Sequence, residues 1–180
     1  MDERVNPAER VVLVDEDDRE LGVADKLDAH ARGVLHRAFS VFVLNERGEV
    51  LLQRRAAGKY HSGGKWSNTC CGHPRPGEPV AAAARRRLNE EMGVDCDLVP
   101  AGAFVYRVEV ADGLVEHEYD HVFVGRWAGV VRPHPDEVQA WRWISPEDAL
   151  REAAAAPERY TPWFVQALGE ITSGALPHWP

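Results

Sequence analysis

Three histidines, two glutamates and one of two adjacent cysteines carry the most specific chemistry in the sequence. His30 and His36 lie near its start, and His73 follows a glycine in the middle. Glu116 and Glu118 stand two apart in a segment that alternates like a strand. Residues two apart on a strand point to one face, so both carboxylates can reach one centre. Three imidazoles with two carboxylates suit a divalent ion such as Zn²⁺ or Mn²⁺. Taken singly, each of these residues is by default a solvated surface group. Cys71 sits directly before Gly72-His73. A lone Cys is ordinarily a small buried hydrophobe, but one beside a glycine turn and a candidate metal ligand is a less ordinary case. Cys70 is its neighbour, and the residues alone do not choose between the two.

Cations are placed where an anion could be met. Arg55 and Lys59 fall at the end of a predicted strand and the start of a long loop, and Lys26 lies just upstream of His30. Strand alternation puts Arg54 on the other face. Arg clamps phosphate oxygens bidentately, whereas Lys acts as a point charge.

These side chains need elements to hold them. Residues 10–15, RVVLVD, read as a buried strand, and EDDRELG after them as a turn. Residues 38–45 form a second strand, with the turn ERGE and a return arm at 50–55. Residues 56–69, AAGKYHSGGKWSNT, are glycine-rich without periodicity and read as a long functional loop. A helix is predicted over 79–92, with Pro79 at its first position and Gly93 just past its end. Residues 103–110 and 114–124 alternate as a hairpin around Ala111-Asp112-Gly113, and 140–144 form a further strand. Ser145 is a good N-cap followed by Pro146, and 161–172 hold a last amphipathic helix before an irregular tail. The order implies an α+β fold, a central mixed β-sheet flanked by helices, in a single domain over 1–180 with its core at about 10–165 and a C-terminal helix and tail at 161–180.

Composition narrows the function classes. The chain has 180 residues with 21 basic and 29 acidic side chains, a formal charge of -8. That disfavours a general nucleic-acid binder, which needs a basic footprint. A small anionic ligand is still allowed, because a few focused cations suffice for it. Three Cys give no disulfide framework, and free thiols suit a reducing compartment. MDERVNPAER has no apolar run of a leader, and no stretch approaches 18 apolar residues. A cytoplasmic protein without membrane or nucleic-acid partners is expected.

Residues 72–94, GHPRPGEPVAAAARRRLNEEMGV, place Gly72, Glu78, the pair Glu90-Glu91 and Gly93 along a loop, a helix and a loop. This resembles the Nudix box, which binds a diphosphate through a divalent metal. Where the hydrolase motif has Arg-Glu, this chain has Arg86-Arg87. Arg87 lies four residues before Glu91, on the same helix face. A cation in place of that carboxylate keeps phosphate affinity but equips the site poorly for metal-assisted attack by water. His36-Arg-Ala-Phe-Ser, Trp66-Ser-Asn-Thr-Cys-Cys-Gly-His-Pro, Glu116-His-Glu118 and Tyr160-Thr-Pro-Trp163 are similar, in the same order, to type I isopentenyl-diphosphate delta-isomerases over roughly 10–165.

The resemblance implies an enzyme that interconverts isopentenyl and dimethylallyl diphosphate in isoprenoid biosynthesis. It implies one divalent ion, Mn²⁺ or Zn²⁺, on His30, His36, His73, Glu116 and Glu118, and Mg²⁺ near Glu91 shared with the diphosphate. It assigns the reactive thiol to Cys71, the second acid/base group to Glu118, and a hydrogen bond onto Glu118 to Tyr106. Lys26, Arg55, Lys59 and Arg87 would grip the diphosphate. Moving the double bond adds a proton at one carbon and removes one at another, through a carbocation-like species. Trp163 would lay an aromatic face near that cation, with plain core packing as its other reading. His61, His117, His121, His134 and His178 are read as solvent-facing or packing residues. A monomer is implied. The competing readings are a Nudix hydrolase acting on a nucleoside diphosphate derivative and a non-catalytic binding domain of the same fold.

Overall fold

The computed structural model describes residues 10–59, 61–174 and 176. Residues 1–9, His178 and the rest of the irregular tail from 177 lie outside them. Among the described residues, nine strands and four α-helices follow in the order β1 (Arg10–Val14), β2 (Glu20–Asp25), α1 (Lys26–Arg32), β3 (His36–Leu44), β4 (Val50–Arg55), β5 (Trp66–Ser67), β6 (Cys70–Gly72), α2 (Val80–Met92), β7 (Leu98–Glu109), β8 (Val115–Arg126), β9 (Val138–Ile144), α3 (Pro146–Ala155) and α4 (Pro162–Thr172).

β3 organises the sheet. Its sequence, HRAFSVFVL, is an almost unbroken apolar run because both of its faces are covered. Val41 and Val43 face one way, into a core with Leu88 and Met92 of α2. Phe42 and Leu44 face the other way, into a core with Phe164 and Leu168 of α4. Burying one such side chain contributes about 1.5–3 kcal/mol. β8 runs parallel to β3 and pairs Glu118 with His36. β6 runs antiparallel to β3 and pairs Cys71 with Ser40 and Gly72 with Phe39. β7 pairs Tyr106 with Glu118 from the far side of β8.

Several elements differ from the sequence expectation. The predicted turn EDDRELG ends at residue 19, and its last three residues begin β2. The seven-residue α1 was not anticipated. Asp25 caps it, accepting from the backbone N–H of Leu27 at 2.9 Å and of Asp28 at 3.2 Å, and Gly33 closes it. The loop 56–69 is shorter than expected because Trp66–Ser67 adds a strand beside β4. Pro79 is the N-cap of α2 rather than its first helical residue. Gly93 ends α2 with φ 62°, and a Cβ there would lie 2.5 Å from the Arg132 carbonyl oxygen. Ser145 caps α3 by accepting from the Asp148 N–H at 3.1 Å. Among the described residues, no helix is long and apolar enough to cross a membrane.

Candidate active site

The β3–β8 and β3–β6 registers, with α1 above them, gather residues from four parts of the chain. One ligand atom each of His30, His36, His73, Glu116 and Glu118 lies within 4.8 Å of the others. His30 comes from α1, His36 from the start of β3, His73 from just past β6, and the glutamates from β8. All but His73 are buried.

The hydrogen bonds around the rings show what this set accepts. His30 Nδ1 donates to the Lys26 carbonyl at 2.6 Å, and His36 Nδ1 donates to the Val34 carbonyl at 2.8 Å. Each bond commits the ring proton outward and turns the Nε2 lone pair inward. His36 Nε2 then meets His73 Nε2 at 3.2 Å, and His73 Nε2 meets Glu118 Oε1 at 2.8 Å. His30 Nε2 lies 3.1 Å from Glu116 Oε2. Converging lone pairs and carboxylates repel one another unless positive charge lies among them. The donor set, three nitrogens and two carboxylates, fits a divalent cation.

Beside this cluster is a cavity of about 260 Å³. Drug-sized ligands take roughly 300–1,000 Å³, so this volume suits something smaller. Lys26, Arg55, Lys59, Cys71, Arg87, Glu91, Glu116, Glu118 and Trp163 all line it. Burial pulls the ammonium groups of Lys26 and Lys59 below their ordinary pKa. Desolvated cations of this kind gain from an incoming anion. Arg54 stays outside, exposed on its strand and donating to the Gly64 carbonyl at 2.9 Å.

Two groups in the cavity hold opposite proton states. Burial pushes the Cys71 thiol up to about 12, so it keeps its proton; the Arg55 guanidinium stands 3.9 Å from its sulfur. Glu118 is also buried, which opposes its charge, yet the neighbouring His36 imidazole and the Tyr106 hydroxyl bring its pKa below the ordinary value. The Tyr106 hydroxyl donates to Glu118 Oε2 at 2.5 Å, and burial keeps that hydroxyl protonated. Cys70, by contrast, is fully buried in the core on the α2 side of the sheet.

Trp163 belongs to the core on the α4 side and to the cavity wall at once. Its Nε1 donates to Ser67 Oγ at 3.1 Å, and the Arg55 guanidinium lies 5.2 Å from its ring centroid. Glu91 is buried at the end of α2, accepting from Gln53 Nε2 at 2.8 Å and from Arg87.

Three residues at the site were missed or misread in the sequence. His61, read as a solvent-facing or packing residue, is 6% exposed and has Nε2 2.8 Å from Glu116 Oε1. Gln53 is the polar residue in the otherwise apolar VLLQ, a signal that could have been noticed. Glu137 pairs with Lys59 and, at 3.2 Å, with Arg87; no sequence signal marked it. Three other described histidines do not line the cavity. His117 bonds the Gly33 carbonyl at 2.9 Å, His121 bonds Asp18 at 2.9 Å, and the His134 side chain is 54% exposed.

Residues 34–164 match the NUDIX domain family. The chain is 52% identical over 165 residues to isopentenyl-diphosphate Delta-isomerase 2 of Aromatoleum aromaticum, covering 92% of this chain and 87% of that protein. It is 54% identical over 156 residues to isopentenyl-diphosphate Delta-isomerase of Burkholderia multivorans, covering 87% and 89%. Among solved structures, a Deinococcus radiodurans protein superposes with a TM-score of 0.76 at 21% identity, covering 90% of this chain and 98% of the other. A MutT protein from Methanosarcina mazei superposes with a TM-score of 0.64 at 22% identity, covering 78% and 95%. These two likenesses concern the fold.

Proposed function

The chain belongs to the isopentenyl-diphosphate delta-isomerases of the NUDIX family and interconverts isopentenyl and dimethylallyl diphosphate, and on that premise we propose that Cys71 and Glu118 carry its two proton transfers. The observation that supports this most is the shared cavity. A protonated thiol and an ionised carboxylate line the same small space as Lys26, Arg55, Lys59 and Arg87.

The chemistry requires that pairing. An allylic shift of a double bond leaves the formula unchanged, so one proton enters at a terminal carbon and another leaves from the carbon next but one. One group must begin with a proton and the other without. Cys71 and Glu118 meet that condition. Tyr106, donating to Glu118, holds the carboxylate in one orientation and bears on its basicity. An alkene is a very weak base, and the buried site favours protonation by keeping competing water away. The aromatic ring of Trp163 offers an electron-rich face to positive charge that develops on the substrate, an effect of roughly 1–2 kcal/mol when desolvated.

Lys26, Arg55, Lys59 and Arg87 bind the diphosphate, and the five-carbon chain then extends toward Cys71 and Glu118. His30, His36, His73, Glu116 and Glu118 would hold one Mn²⁺ or Zn²⁺, whose positive charge would stabilise the buried carboxylates. Glu91 would share Mg²⁺ with the diphosphate, since Mg²⁺ is held well by one or two carboxylates plus substrate phosphates. Water attack on the diphosphate is disfavoured because Arg87, a cation, stands where the hydrolase motif has a metal-holding carboxylate. The chain acts as one domain, a monomer in the cytoplasm with no nucleic-acid or membrane partner.

A pair of serine variants tests the thiol assignment. Cys71→Ser should abolish turnover of isopentenyl diphosphate while leaving the fold intact, and Cys70→Ser should be mild. The reverse pattern would overturn it.

A further inference from the structure

The segment that joins β4 to β5 carries His61 inward together with Lys59. Its base is closed by two backbone bonds, Arg55 N–H to the Lys65 carbonyl at 2.9 Å and Gly64 N–H to the Arg55 carbonyl at 3.0 Å. It doubles back so tightly that a Cβ on Gly63 would lie 2.5 Å from the Ala57 carbonyl oxygen. Ser62 takes a left-handed φ of 53°, uncommon for a residue with a side chain. Arg55 Nη2 donates to the His61 carbonyl at 3.4 Å. The result is a histidine on a glycine-rich surface loop that is nonetheless 6% exposed.

Its destination is specific. His61 Nε2 lies 2.8 Å from Glu116 Oε1, while Glu116 Oε2 faces His30 Nε2 at 3.1 Å. The two oxygens of one carboxylate are therefore divided, one to the five-residue cluster and one to His61. His61 itself is not among the five residues whose ligand atoms lie within 4.8 Å of one another. Its ring also stands edge-on to Trp163, with centroids 5.6 Å apart, which limits rotation. Ligating carboxylates are commonly fixed by an outer hydrogen-bond donor, and losing such a donor costs about 10–100-fold in metal affinity.

We infer that His61 is a positioning residue for the metal centre, holding Glu116 by one oxygen so that the other is presented to a divalent cation. The inference rests on the proposed metal role of the five-residue cluster and adds to it an arm from the loop that also carries Lys59. Loss of this arm leaves Glu116 free to rotate.

Titration of the metal-free full-length protein with Co²⁺, followed by its ligand-field absorption, reads both affinity and coordination. His61→Ala should weaken Co²⁺ binding about 10–100-fold and alter the bands, and His61→Gln, which keeps an N–H donor, should recover part of both. Should His61→Ala fail to fold, His61→Phe fills the volume without a donor and carries the same expectation. Wild-type affinity and an unchanged spectrum in a folded donor-less variant would overturn the inference alone. Wild-type protein that takes up no Co²⁺, or takes it up equally after Glu116→Gln, would defeat the metal reading and this inference with it.

Discussion

At the scale of single residues, the proposed proton transfers call for neighbouring groups in contrasting states. Cys71 and Glu118 share a cavity, yet burial keeps a proton on the thiol and hydrogen bonds keep one off the carboxylate. Tyr106 donates one of the hydrogen bonds that lower the Glu118 pKa. Replacing it with Phe removes a hydrogen bond to a charged group, about 1.5–3 kcal/mol. If that bond is used in the transition state, the turnover number of Tyr106→Phe should fall on the order of 10–100-fold. Steady-state kinetics on the folded variant check this, and an unchanged turnover number would remove Tyr106 from the proton path. The individual side chains were legible in the sequence to an uneven degree. Glu116 and Glu118 could be assigned to one face from strand periodicity alone, whereas the choice of Cys71 over Cys70 rests on the family resemblance and not on the residues themselves. His61 could not, because its role depends on the backbone reversal at Ser62 and Gly63, and a loop without periodicity does not announce where a side chain points. Glu137 was hidden for a related reason. It meets Lys59 and Arg87 only because β9 pairs with β4.

At the scale of elements, registry positions the chemistry. The parallel pairing of β8 with β3 sets Glu118 against His36, and the antiparallel pairing of β6 sets Cys71 on the other side of the same strand. The sequence showed β3, β4, β8 and α2 because each carries a long apolar or amphipathic pattern. It did not show α1, whose seven residues are too few for a helical period to stand out, although Asp25 and Gly33 are good caps at either end. That helix matters beyond its length, since it carries both Lys26 and His30. Asp25→Ala should therefore cost about 1 kcal/mol of stability and weaken divalent-metal binding through His30. Denaturant unfolding alongside a metal titration reads both. Lost stability with undiminished metal affinity would show that α1 holds His30 without its cap.

At the scale of the whole molecule, the formal charge of -8 sits oddly with an anionic substrate. The structure resolves this by locality. Lys26, Arg55, Lys59, Arg75, Arg86 and Arg87 all line one cavity, whereas exposed acidic groups such as Asp17 and Asp97 lie on the outside. The same reasoning explains the odd number of thiols. Cys70, Cys71 and Cys96 are all free, and Cys71 is the one that faces the cavity. The fold is shared with hydrolases of the MutT kind, so the sheet and helices alone do not fix the reaction. What distinguishes this chain is proton transfer to and from carbon in place of cleavage at phosphorus. Incubation of isopentenyl diphosphate with the enzyme in D₂O measures that difference directly. Deuterium should appear at carbon in the dimethylallyl diphosphate formed, with the diphosphate intact. Release of phosphate or pyrophosphate without deuterium at carbon would contradict the account.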